Sequence, residues 1–178
     1  METSHELERD GCTIAYRRAR PREPGGLPPL LLIHGAASNM TRWTEFVERT
    51  EMTRERDVIR LDLRGHAESV HRGRCTLEIW SDDLAAILDR EGFSQAIVAG
   101  HCLGANVAAA FAAREPDRTA GLVLIQPMFR DALTGSLHRL KRYVPLLRTA
   151  IALILAANHL GLYRRRIASL DLRELDRE

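Results

Sequence analysis

Ala96-Ile97-Val98-Ala99-Gly100-His101-Cys102-Leu103-Gly104-Ala105-Asn106-Val107-Ala108-Ala109-Ala110 is the stretch from which the rest of the chain can be placed. Ala96 to Ala99 is short and apolar. Leu103 to Ala113 is alanine-rich, with Leu103, Val107 and Phe111 at helical spacing, so a buried strand passes directly into a helix. Between them stands Gly100-His101-Cys102-Leu103-Gly104, a nucleophilic side chain flanked by glycines at a strand-to-helix corner. A side chain thrust out at such a corner needs strained backbone, and the crossing chains must come close, which positions lacking a Cβ permit. The helix begins immediately after Cys102, so free N–H groups and a positive dipole end face it, where they would stabilise negative charge on an oxyanion beside the sulfur.

On these residues the sequence resembles the α/β-hydrolase family, whose usual nucleophile at this point is serine. The resemblance implies a thiol nucleophile at Cys102, like that of dienelactone hydrolases and polyhydroxyalkanoate synthases. The competing reading makes Cys102 a small buried hydrophobe in an inactive relative. His34-Gly35-Ala36-Ala37 follows the apolar run Leu30 to Ile33 and matches the family's HG turn. The implied role of that turn is to aim the backbone N–H of Ala36 at the reaction centre, opposite the N–H of Leu103. Two such donors form an oxyanion hole and each contributes on the order of 3 kcal/mol to a transition state. His34, Gly35 and His101 are then expected to border the ligand. His101 is a poor base for Cys102, because an adjacent residue at a sharp turn points its side chain elsewhere. Alone, His34-Gly35 reads equally well as a strand-ending turn.

Outward from this centre, Glu6 to Arg9 and Thr13 to Arg18 flank Asp10-Gly11, a hairpin signal for two antiparallel strands. Prolines and glycines between Arg20 and Pro29 make a connecting loop. Thr41 to Arg49 can form a short helix with Trp43, Phe46 and Val47 on one side, and Asp57 to Leu61 reads as a strand. Asp62-Leu63-Arg64-Gly65-His66-Ala67-Glu68-Ser69 resembles the family's D-x-R-G-x-G-x-S turn, with Ala67 where glycine is usual. Asp62, Arg64 and Ser69 are read as structural. Thr76 to Glu91 carries Leu77, Trp80, Leu84, Ile87 and Leu88 on one face, with Thr76 as cap and Gly92 as stop. After a turn at Glu115 to Arg118, Gly121 to Ile125 is a further buried strand ending before Pro127.

Strands alternating with helices in this way predict an α/β fold, a mostly parallel sheet with helices on both faces. Its active centre lies at the carboxyl ends of the strands, where Gly35, His66 and Cys102 fall. Residues 1–127 correspond to the N-terminal part of the family's core. Residues 128–178, with longer arginine-flanked apolar runs, are expected to form a partial helical cap. In the family the acid and the histidine that serve the nucleophile follow a seventh and an eighth strand, and the chain stops before either. His138 and His159 in the presumed cap and Asp131 after the sixth strand are weak substitutes. Leu122 to Ile125 would then be an exposed apolar edge, open to self-association.

The totals set limits on partners. Hydrophobic residues at 45%, charged residues at 28% and a net charge of +2 describe an ordinary globular chain, with basic residues scattered among acids and no stripe for nucleic acid. A membrane span needs roughly twenty apolar residues, and Asn158 and His159 interrupt the run that starts at Thr149. An arginine-edged helix resting on a membrane surface is the lesser alternative to a cap. Three unpaired cysteines and a polar N-terminus without an apolar core predict a cytoplasmic protein. His34, His66, His101 and Cys102 match no metal-ligand spacing, and no cofactor is implied. The reading is a hydrolase or acyltransferase acting on a small apolar ester, thioester or lactone, with two alternatives: a non-catalytic scaffold, or a fragment active only within a longer protein.

Overall fold

Asp10 and Gly11 make the first reversal, both with positive φ (50° and 69°), the backbone that a two-residue hairpin turn requires. They join β1 (Glu2–Arg9) to β2 (Cys12–Ala19), paired antiparallel from Arg9 opposite Cys12 to Glu2 opposite Ala19. β1 begins four residues before the expected Glu6 and β2 extends one residue at each end, because the pairing continues along β2, which is itself buried against the next strand. The structure is a computed structural model that describes residues 2–22, 26–128 and 149. The expected cap, residues 128–178, lies outside the described residues apart from Met128 and Thr149.

The sheet has six strands in the order β1-β2-β4-β3-β5-β6, with β3 at Leu30–Ile33, β4 at Val58–Leu61, β5 at Ala96–His101 and β6 at Thr119–Ile125. β4, β3, β5 and β6 are mutually parallel, and β2 joins β4 antiparallel. The inner strands alternate between two cores. Leu31, Ile33, Ile59, Leu61 and Val98 face a large cluster with α2 (Leu77–Glu91) and α3 (Leu103–Arg114). Leu30, Leu32, Val58 and Ala99 face a smaller one with Trp43 and Val47, at the short helix α1 (Thr44–Arg49). Both faces are therefore covered, as near-continuous apolar strands require. α2 is capped by the Thr76 hydroxyl, which accepts from the Ile79 N–H, and ends at Gly92 in the left-handed region.

Other details differ from the sequence reading: the strand expected to be buried at Gly121 to Ile125 runs from Thr119 and has no buried residue, because it is the last strand of the sheet among the described residues. Thr41–Arg49 is not one helix: a 3₁₀ turn at Met40–Trp43 precedes α1, and Phe46 is half-exposed, stacking edge-on against Trp43. Arg60, inside an apolar strand, is buried with its guanidinium against the Glu2 carboxylate (2.8 and 2.5 Å), the Thr44 hydroxyl and the Met40 carbonyl. A buried cation survives only with such partners, and these tie β4 to both β1 and α1.

The turns at the carboxyl ends of β3 and β4 are clasped by buried polar groups. Asp62 accepts from the N–H groups of Met40 (2.6 Å) and Glu68 (3.1 Å), and Ser69 donates to the Asp62 carbonyl (2.7 Å) while accepting from the Ala15 N–H (2.9 Å). Arg64 and Asp83 form a buried pair (2.7 and 2.9 Å), and the Trp80 indole donates to the Arg64 carbonyl. Ala67 has φ of 40°, which accounts for glycine being usual at that position of the motif.

His34 is wholly buried. Its Nε2 accepts from the Leu63 N–H at 3.0 Å and its Nδ1 lies 2.7 Å from the Gly35 carbonyl. One nitrogen must accept, so the ring is neutral with its proton on Nδ1. Burial holds its pKa below the usual value, assisted by the His66 ring, whereas the Gly35 carbonyl and Asp62 oppose the shift. A depressed folded-state pKa means the unfolded chain binds the extra proton first, so this contribution to stability is complete above pH about 6.5 and falls as pH drops toward the folded value. The parent is expected to lose stability below pH 6.5 more steeply than His34→Gln, by up to about 1.4 kcal/mol per pH unit, in urea melts across that range. Parallel slopes would show that His34 is not the group responsible.

Candidate active site

β5 ends at His101, α3 begins at Leu103, and Cys102 alone makes the corner, with φ 55° and ψ −115°. Positive φ with extended ψ is strained for any residue with a Cβ. The surroundings hold it there. The Cys102 N–H donates to the Ile125 carbonyl of β6 (2.9 Å), and its own carbonyl accepts from the Ala105 N–H (3.0 Å). A Cβ placed on Gly100 would fall 2.1 Å from the Gly104 carbonyl oxygen, and one on Gly104 would fall 2.5 Å from the carbonyl oxygens of Ile33 and His34. The first helical turn therefore lies against the end of β5 and the end of β3 with no room for side chains, and Cys102 is pushed outward, partly exposed.

The HG turn meets this corner directly. A Cβ on Gly35 would stand 3.1 Å from the Cys102 Cβ and 3.1 Å from His101 Nδ1. Gly35 and the nucleophile position are thus on one side of the molecule and in contact. Ala36 follows on the exposed side, and Ala37 turns the chain with φ of 52°. Leu103 is the first residue of α3, and an N–H at that position has no carbonyl of its own helix to reach. Ala36 and Leu103 accordingly come from two turns that abut at Cys102.

The remaining expected site residues separate into two groups. His101 is beside the centre, its Nε2 3.0 Å from Gln126 Oε1, so its ring is directed to the residue after β6. His34 has no exposed surface, and its ring is spent on the clasp between the β3 and β4 turns. His66 packs at 5.1 Å from the His34 ring and 6.2 Å from that of Trp80. Asp131, His138 and His159 lie outside the described residues. Among the described residues no cluster of histidine, cysteine or carboxylate side chains could hold a metal ion, and no helix is long and apolar enough to cross a membrane. A recess of about 620 Å³ lined by Arg18, Arg56, Asp57 and Phe93 lies at the amino ends of the strands, away from Cys102.

The sequence reading missed two residues here. Cys102 Sγ lies 3.2 Å from Met128 Sδ, and the Asn106 side-chain amide bonds both backbone groups of Met128. The signal for Asn106 was available: it is the one polar side chain of α3 before the terminal Arg114.

The model of the alpha/beta hydrolase fold family matches residues 28–175. A dihydrolipoyllysine-residue acetyltransferase component of the acetoin cleaving system of Cupriavidus necator is 32% identical over 128 residues, covering 71% of this chain and 33% of that protein. Lipase LipV of Mycobacterium tuberculosis is 34% identical over 113 residues, covering 64% of this chain and 41% of the lipase. In structure, a thermophilic esterase from Thermogutta terrifontis superposes with a TM-score of 0.63 at 30% identity, covering 82% of this chain and 53% of the esterase. The chain thus spans about a third to a half of the length of these proteins. With the strand order, the strained corner and its glycine contacts, these matches establish that the chain belongs to the alpha/beta hydrolase fold family.

Proposed function

We propose that this chain carries the nucleophile half of an acyl-transfer site acting on carboxylic esters, thioesters or lactones through Cys102. The observation that supports it most is the corner itself: a non-glycine residue at φ 55° and ψ −115°, against the HG turn and at the start of a helix. Strain of that kind costs about 1–3 kcal/mol and persists where it serves a site. On this reading the Cys102 sulfur attacks the acyl carbon, a C–S bond forms, and the carbonyl electrons move onto oxygen, which the N–H groups of Ala36 and Leu103 hold. Collapse restores the carbonyl, breaks the bond to the alcohol or thiol leaving group, and leaves an acyl-cysteine. The leaving group takes up the proton the thiol gave up; water or another acceptor then bonds to the acyl carbon, the C–S bond breaks, and the acceptor's proton returns to the sulfur. Relatives named as lipase, esterase and acetyltransferase agree with acyl chemistry and leave the substrate open.

A second reading rests on the sheet edge. β1 presents Glu2, Glu6 and Glu8, whereas β6 presents Leu122, Val123, Leu124 and Ile125, each between 37% and 44% exposed and without a charge or proline among them. An edge of that composition pairs with another strand or aggregates. We infer that the chain acts with a partner on this edge, a further length of its own protein or a second copy, and that on its own it is a scaffold.

Both readings are testable. With a short activated ester, Cys102→Ala is expected to lose turnover by a factor on the order of 100 or more and to show no acyl adduct by intact mass, because the nucleophile is gone. Equal rates in parent and variant would remove Cys102 from the mechanism. Val123→Lys is expected to shift the chain toward monomer in sedimentation across the micromolar range. A parent that is already monomeric with a sharp melt would overturn the association.

A further inference from the structure

Past β6 the chain makes an abrupt reversal. Gln126 has φ of 50°, Pro127 follows, and Met128 is brought back over α3. Pro127 has no N–H, so the reversal cannot be held by a ladder bond there. Asn106 holds it instead: its Oδ1 accepts from the Met128 N–H at 3.0 Å and its Nδ2 donates to the Met128 carbonyl at 2.5 Å. One side-chain amide thus satisfies both backbone groups of a single residue, as a neighbouring strand would.

Nothing in α3 itself asks for Asn106. It interrupts an alanine-rich helix, where asparagine is a poorer helix former than alanine by up to about 0.7 kcal/mol. It lies one helical turn after Cys102, and side chains on a helix lean toward its amino end, so its amide reaches the corner. The result is that the Met128 thioether lies against the Cys102 thiol, Sγ to Sδ 3.2 Å, with the thiol donating. Half of the Met128 surface is exposed.

We propose that Met128, positioned by Asn106, is the wall that selects by size which electrophiles reach the Cys102 sulfur. As applied to acyl substrates this rests on the acyl-transfer reading above, and it favours acyl groups that are slim beside the carbonyl carbon. The wall itself needs no catalysis. An electrophile must share the surroundings of Sγ with a thioether already in contact, and a bulky one must displace a residue whose backbone is held at two points.

Alkylation of Cys102 by iodoacetamide and by a pyrene-bearing maleimide, followed by peptide mass spectrometry, separates the two claims. Cys12 and Cys75 serve as internal references for general loosening. Met128→Ala is expected to raise the bulky-to-small rate ratio at Cys102 about tenfold, the scale of discrimination that a few methylenes give. Met128→Leu, of similar volume, should stay near the parent. Asn106→Ala should raise the ratio in the same direction. Asn106→Asp keeps an acceptor for the Met128 N–H and loses the donor, so it should fall between. An unchanged ratio in Met128→Ala, or in Asn106→Ala with Cys12 and Cys75 still at parental rates, overturns the proposal. If the parent hydrolyses no ester but the ratio responds as described, the acyl-transfer reading fails and the wall stands.

Discussion

The structure depends on how closely backbone can approach backbone beneath Cys102. Gly100, Gly104 and Gly35 leave no space for a Cβ between the ends of β3 and β5 and the first turn of α3. That contact has two consequences at once. It seals the carboxyl end of the central strands, so that Val107 and Phe111 can pack fully buried against the sheet. It also leaves Cys102 no direction but outward, in a backbone conformation that a relaxed loop would not adopt. Tight packing and display of the sulfur are one constraint seen from two sides.

Around that contact the turns are held by polar groups that water cannot reach. His34 clasps the Leu63 N–H, Asp62 clasps those of Met40 and Glu68, and Arg64 with Asp83 ties the β4 turn to α2. Each group would be costly if left alone in the interior, and each has a partner of the right kind. The HG turn can therefore stand firmly against Cys102 although it is a turn. Its rigidity is borrowed from a residue 29 positions further on, Leu63 meeting the ring at position 34 by way of the parallel register of β3 and β4.

This division explains what was legible beforehand. The strand-to-helix corner at Cys102, the Asp10-Gly11 hairpin and the limits of α2 could be read because each is written in neighbouring residues: flanking glycines, a turn dipeptide, a capping threonine and a stop glycine. The alternation of strands with helices likewise indicated a mostly parallel sheet, though not the order of its strands. Arg60 was not legible as a buried ion pair, since its partner Glu2 stands 58 positions before it and nothing in the local pattern marks it. His34 could be read as part of a motif, while its burial and its bond to Leu63 depend on a tertiary contact. Met128 is further still from pattern, because its place over Cys102 needs β6 to lie beside β5, Gln126 to turn back and Asn106 to reach it. Asn106 alone left a trace, as a polar break in an otherwise apolar helix.

A cysteine at this corner also alters what the rest of a catalytic site must supply. A serine hydroxyl is almost wholly protonated near neutral pH and attacks only with a base in hydrogen-bond reach, whereas a free thiol is a few per cent thiolate there and strongly nucleophilic. The described residues contain parts that are set by backbone: a displayed sulfur and two turns that abut at it. A partner base would therefore be asked for less of the first step and more of the second, the protonation of the leaving group and the activation of water to release the acyl-cysteine. On the proposed reading, a chain with only these parts would form the acyl adduct more readily than it turns over, since attack draws on the corner and release draws on a proton carrier.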